Sequence, residues 1–265
     1  MPTTPGLEGK VALVTGGSRG IGRAVASAMA ASGARVAICA RDEPLLQQAA
    51  DEIRAACRAD ILAVKANMTR VNDIRRFVAA AAGKFGRIDI LVNNAGGAHV
   101  GGIMQTTDEE MEYHIQLKLL GYVRAAREVI QHMKAAGGGR IINVVGMAGK
   151  EPSPYFLTPG ITNAALLNFT KSLSKELEPD RITVNSVNPG ITDTPLTEET
   201  FKAIAALNQK PAEEVRLQAA RSTMYGRIAL PGEVAAAVLF LASDAAAFIN
   251  GISINIDAGK SLGIW

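Results

Sequence analysis

Seven short runs of β-branched and other apolar residues alternate along the chain with longer stretches whose apolar positions recur at helical spacing. The runs are Val11–Thr15, Arg35–Cys39, Ile61–Lys65, Ile88–Asn93, Arg140–Val145, Ile182–Asn188 and Ile252–Ile256. Most are continuously apolar rather than alternating, the pattern of strands covered on both faces, and they predict a parallel sheet. Between them, Ile21–Ser32, Glu43–Arg58, Asn72–Phe85, Thr107–Ala136, Ile161–Leu177 and Glu233–Ala242 read as helices. Most are long enough for right-handed crossovers. This order predicts an α/β fold of one doubly wound domain over residues 1–265, with a seven-stranded parallel sheet and helices on both faces. The stretch from Thr192 to Leu230 interrupts the last crossover and carries its own helical pieces, Glu198–Leu207 and Ala212–Ser222. An insertion of that length beside strand ends predicts a substrate lid over about residues 192–230.

Composition narrows the partners. The chain has 265 residues, with 28 Lys and Arg against 25 Asp and Glu, a net charge of +3. Its basic clusters, such as Arg75-Arg76, are broken by acids or apolar residues, so no nucleic-acid footprint is expected. Cys39 and Cys57 have no metal-ligand spacing and read as buried thiols in a reducing compartment; no metal site is expected. No apolar run is long enough to cross a membrane, and Met1–Gly6 lacks a signal-peptide pattern, which makes cytoplasmic the expected location.

Chemistry enters after the first run. Thr15-Gly16-Gly17-Ser18-Arg19-Gly20-Ile21-Gly22 joins a predicted strand to a predicted helix. Gly16 suits the tight exit from the strand, Gly20 lets backbone approach a pyrophosphate, and Gly22 lets the helix pack closely. The helix N-terminus then faces the diphosphate, the arrangement of a Rossmann dinucleotide site. At the end of the second run, where an NAD site wants a carboxylate for the ribose hydroxyl, stand Ala40 and Arg41. Arg41, with Ser18 and Arg19 on the loop, suits a 2′-phosphate, so NADP(H) is expected over NAD(H). Asp42 follows directly and is the one competing ribose ligand.

Further motifs carry a resemblance. Asn93-Asn94-Ala95-Gly96, Asn185-Ser186-Val187-Asn188-Pro189-Gly190 with Thr194, Gly226-Arg227, Pro231-Gly232-Glu233-Val234-Ala235, Phe240-Leu241-Ala242-Ser243-Asp244 and Asp257-Ala258-Gly259 resemble the short-chain dehydrogenase/reductase family over nearly the whole chain. The resemblance implies a nicotinamide held against the ends of strands four to six. It implies a carbonyl or alcohol substrate and a homotetramer through the helices at Thr107–Ala136 and Ile161–Leu177. It adds Asn67, Met68, Asn94, Ala95, Gly96, Pro189, Gly190, Thr192 and Thr194 to the loop residues Gly16, Ser18, Arg19, Gly20, Ile21 and Gly22 and to Arg41 as cofactor contacts.

The family's chemistry uses a Tyr, a Lys one helical turn later and a Ser about 13 residues before the Tyr. Those places fall on Pro159, Asn163 and Gly146 here, while Lys118 stands at a helical position where the family has Asn. Thr158-Pro159 reads as a helix N-cap followed by a first-turn proline, which leaves Tyr155 in the preceding loop.

Three functions follow from this departure. In one, the chain is an oxidoreductase with a rearranged centre: Tyr155 moves the proton, Lys118 replaces the missing cation and Asn163 occupies the vacated place. In another, it is a cofactor-binding sensor or structural subunit without hydride transfer. In the third, His99 or His114 serves as base for a different reaction. Ser153, Thr158 and Tyr225 are the remaining hydroxyls near the altered centre or on the lid. Leu196, Phe201, Ile204, Leu207 and Met224 give the lid an apolar lining, suited to a small apolar or acyl-like substrate.

Overall fold

The computed structural model describes residues 6–97 and 99–263, and all seven predicted strands lie in one parallel sheet of order β3-β2-β1-β4-β5-β6-β7. These are β1 Val11–Thr15, β2 Arg35–Ala40, β3 Ile61–Lys65, β4 Ile90–Asn93, β5 Gly139–Val144, β6 Ile182–Pro189 and β7 Ser253–Ile256. The order reverses between β1 and β4, and the cleft beyond the strand ends at such a switch point is where ligands bind in doubly wound sheets.

Helices α1 Gly20–Ala31, α2 Glu43–Cys57 and α9 Pro231–Ala242 cover one face, packing Val25, Met29, Leu46, Val234 and Val238 against Val14, Ile38 and Val92. Helices α3 Val71–Phe85, α5 Gly121–Ala135 and α6 Leu157–Glu176 cover the other, where Phe77, Ile74, Val129 and Leu173 meet Leu13, Leu91 and Ile141. Successive strand residues therefore belong to different cores, the period of two that a strand imposes. Phe77 is 1% exposed within the second core. We expect Phe77→Ala to lower unfolding free energy by about 3–5 kcal/mol in denaturant titration, the usual cost of emptying an aromatic site.

The predicted helix Thr107–Ala136 is corrected to three segments: α4 Asp108–His114, a π-helical stretch Ile115–Leu120, and α5. Thr107 caps α4 by accepting from the Glu110 amide. The start of α6 is also corrected. Phe156 is its N-cap and Leu157 its first residue, so Thr158 and Pro159 stand inside the first turn, where proline's missing N–H costs no helical bond. The segment between β6 and α9 holds α7 Pro195–Asn208 and α8 Ala212–Arg221, closed on each other by Phe201, Ala219 and Val215. Among the described residues, no helix is long and apolar enough to span a membrane. Cys39 is buried and Cys57 half-buried, both free; burial pushes the Cys39 thiol up to about 12.

Candidate active site

A cavity of about 1240 Å³ opens along the carboxyl ends of the strands. Its floor begins at the β1–α1 loop, where Gly16 has φ +69° and a Cβ on it would lie 2.9 Å from Asn94 Nδ2. Gly22 is tighter still: a Cβ there would overlap the Gly16 carbonyl and the Asn94 amide. Asn94 explains the closeness, donating from Nδ2 to the carbonyls of Thr15 at 2.9 Å and Gly16 at 3.2 Å. Thr15 Oγ1 accepts the amides of Asn94 and Ala95 in return. The motif after β4 thus braces the loop after β1.

Gly16, Ser18, Arg19, Gly20, Ile21, Arg41, Met68, Asn94, Ala95, Gly96, Pro189, Gly190, Thr192 and Thr194 all line the cavity. Two expected contacts do not. Gly22 sits behind the loop as a packing position, and Asn67 is spent on its own turn, with Oδ1 accepting the Thr69 amide at 3.0 Å. At the β2 end, Asp42 Oδ1 accepts the Leu45 amide at 3.0 Å and caps α2, which engages the competing ribose ligand. Arg41 donates to the Tyr113 hydroxyl at 2.5 Å, and Arg19 reaches Glu199 on α7 at 3.4 Å.

Behind the other end of the cavity, Asn93, Asn143 and Thr170 form a buried chain. Asn93 Nδ2 donates to Asn143 Oδ1 at 3.0 Å, and Asn143 Nδ2 donates to Thr170 Oγ1 at 2.9 Å. This chain ties the ends of β4 and β5 to α6. Lys118 comes from the π-helical stretch, a geometry that recurs at functional sites. Its stem runs past Gly96, where a Cβ would sit 3.7 Å from Lys118 Cδ, and its ammonium donates to the Val145 carbonyl at 2.5 Å. Desolvation pulls its pKa down to about 8. From α6, Asn163 Nδ2 donates to the adjoining Gly146 carbonyl at 3.4 Å, and Asn163 Oδ1 is buried without a partner among the described residues. Lys118 and Asn163 therefore grip neighbouring carbonyls of one segment from two helices. Gly146 has φ +112°, a backbone that disfavours any side chain.

Tyr155 lies in the loop before α6 and lines the cavity, with its hydroxyl donating to Asn208 Oδ1 at the end of α7 at 2.9 Å. It and Lys118 thus have separate hydrogen-bond partners. Ser153 is also on the wall, its hydroxyl accepting the Tyr155 amide at 3.3 Å, whereas Thr158 is buried inside α6.

The histidine expectation is corrected: neither His99 nor His114 lines the cavity. His99 meets Thr106 Oγ1 at 3.1 Å, and His114 is buried beside it, its pKa lowered first by desolvation and then by His99 and Lys118. Tyr225, Met224 and Leu207 are likewise corrected to exposed positions away from the cavity, while Leu196, Phe201 and Ile204 do line it. Sequence reasoning missed Tyr113 and Asn208; neither belongs to a motif, and only the folded chain brings them to Arg41 and Tyr155.

A glycine loop opening a helix at the switch point of a parallel sheet, beside a cavity of this size, defines a dinucleotide-binding oxidoreductase scaffold. Residues 10–205 match the family described as short chain dehydrogenase, and the chain belongs to that family. It is an enzyme of the short-chain reductase type. Over 257 residues it is 36% identical to a 3-oxoacyl-[acyl-carrier-protein] reductase of Synechocystis sp., covering 96% of this chain and 97% of the relative. Its fold is similar to L-sorbose reductase from Gluconobacter frateurii, solved with NADPH and L-sorbose, at TM-score 0.93 and 32% identity over 99% of this chain and 100% of that one. An actinorhodin polyketide ketoreductase solved with NADPH superposes at TM-score 0.92, with 30% identity over 96% of this chain and 98% of that chain.

Proposed function

We propose that the protein is an NADP(H)-dependent reductase of a small apolar or acyl-like carbonyl compound, working through a non-standard centre built on Lys118. The observation that carries this reading is a dinucleotide cradle and a desolvated ammonium on the walls of one cavity. The cradle fits the cofactor. Gly16 and Gly22 leave no room for side chains, Asp42 is engaged as a helix cap, and Arg41 and Arg19 face the mouth beside the β2 end. Ser18, Gly20, Ile21, Asn94 to Gly96, Pro189, Gly190, Thr192 and Thr194 would complete its binding surface.

When bound, the nicotinamide supplies a hydride for the carbonyl carbon. Lys118 supplies the proton: an ammonium with a pKa near 8 suits general-acid work around neutrality, and it lines the cavity beside Gly96 and Val145 at the strand ends. Asn163 holds the Gly146 carbonyl and offers its free Oδ1 to a hydroxyl of the bound ligand. Leu196, Phe201 and Ile204 line the same cavity and would shield a bound carbonyl from water. Their apolar character favours an acyl-like substrate, as the name of the acyl-carrier-protein reductase suggests, over a sugar of the kind bound by the sorbose reductase. In a second reading Tyr155 gives the proton and Lys118 serves as its cation; its place on the cavity wall supports it.

The cofactor assignment is tested by fluorescence titration. NADPH is expected to bind at least about tenfold more tightly than NADH, and Arg41→Gln to remove most of that ratio, as expected for one charge-assisted contact. Equal affinities in the parent protein would overturn it. Turnover on a panel of aliphatic and acyl ketones tests the reaction, and tight NADPH binding with no turnover would favour the sensor reading.

A further inference from the structure

The guanidinium of Arg41 projects from the end of β2 into an open mouth. Of the carboxylates that follow it in sequence, Asp42 caps α2 and Glu43 pairs with Lys65 at 3.3 Å. The partner that holds Arg41 comes from 72 residues away, the Tyr113 hydroxyl on α4, at 2.5 Å. Tyr113 is 38% exposed, with its ring set edge-on to His114 at 5.8 Å. The direction of the bond matters. Arg41 donates and the phenol oxygen accepts, so the phenol keeps its own proton for a second acceptor on the same side.

We infer that Tyr113 is a specificity-determining residue for the cofactor's 2′-phosphate: it fixes the Arg41 fork over the mouth and presents its own hydroxyl to the same anion. The inference rests on the NADP(H) reading above. An arginine on a flexible stem loses rotamer freedom when it grips an anion, and a preset partner lowers that cost. A phenol does this without competing charge, whereas a carboxylate in the same place would repel the phosphate. Tyr113 thereby gives α4 a part at the adenosine end of the cleft, while Lys118, farther along the same helical run, serves the reacting end.

The test uses the cofactor's fragments, so that it reads binding and not turnover. Calorimetry would measure 2′,5′-ADP and 5′-AMP against the parent protein, Tyr113→Phe, Arg41→Gln and the double variant. Tyr113→Phe is expected to weaken 2′,5′-ADP about fivefold and to leave 5′-AMP within about twofold, the scale of one lost hydrogen bond to a charged group. On the Arg41→Gln background the same change should cost less than about twofold, because its main partner is gone. Equal weakening of both fragments, no weakening of either, or an undiminished loss on that background would overturn the role given to Tyr113. If Arg41→Gln does not change the ratio of the two fragments, the 2′-phosphate reading falls and this inference with it. A normal Arg41→Gln effect beside a silent Tyr113→Phe overturns the inference alone.

Discussion

Lys118→Met is expected to lower the rate of carbonyl reduction by about 10²-fold or more, with NADPH affinity held within about twofold. Methionine keeps much of the stem that runs past Gly96 and removes only the charge and the proton, so packing between the π-helical stretch and β5 survives. The pH dependence follows from the sign of the shift. Burial lowers the Lys118 pKa to about 8, so the ammonium is the majority form below that pH and the free amine above it. Reduction needs the protonated form, and its rate should fall as pH rises through about 8; alcohol oxidation needs the amine and should rise over the same range. Both breaks should vanish in Lys118→Met. His114, one turn earlier on the same helical run, faces His99 and Glu110 and is held below its ordinary range, so any break it contributes lies lower. Tyr155→Phe separates the two proton routes: a small effect supports Lys118 as donor, and a loss as large as that of Lys118→Met transfers the role to Tyr155. If Lys118→Met turns over at the parent rate with the same pH profile, the centre proposed here is wrong.

Gly22→Ala is expected to weaken NADPH binding by about 100-fold, some 2.7 kcal/mol, and to lower the melting temperature as well. Its added methyl would overlap the Gly16 carbonyl and the Asn94 amide, and neither can step aside freely. Asn94 is held by the Thr15 and Gly16 carbonyls it bonds, and Gly16 sits at φ +69° with its own neighbours close by. Relief therefore requires the β1–α1 loop to move away from the strand ends, which spoils the cradle. Ligand-free melting and cofactor titration read the two consequences separately. Full affinity in this variant would mean that the loop is more compliant than its hydrogen bonds imply.

Position 146 has little tolerance for a side chain. A serine there would adopt φ +112° and bring its Cβ to 3.2 Å from Asn163 Nδ2, so Gly146→Ser adds strain as well as a hydroxyl. Lys118 and Asn163 grip the carbonyls of Val145 and Gly146.

The element order, the parallel sheet and the glycine cradle were legible in the residues because each rests on local rules. Continuous apolar runs mean strands buried on both faces, helical spacing means crossovers, and a glycine triad between them means backbone near a phosphate. Boundaries set by competing local signals were less secure, and Thr158-Pro159 shows it: a threonine before a proline looks like a cap, yet tertiary packing starts α6 earlier and buries that threonine.

What only the tertiary structure decided is which side chains meet. Arg41 finds Tyr113, Tyr155 finds Asn208 of α7, and Lys118 finds the Val145 carbonyl, across separations of 72, 53 and 27 residues. His99 and His114 lie near the motif in sequence yet outside the cavity in space. The physical reason is common to all of these. Periodicity and turn chemistry act between neighbours along the chain and so are written locally, whereas a side chain's hydrogen-bond partner and its desolvation depend on how separate elements pack.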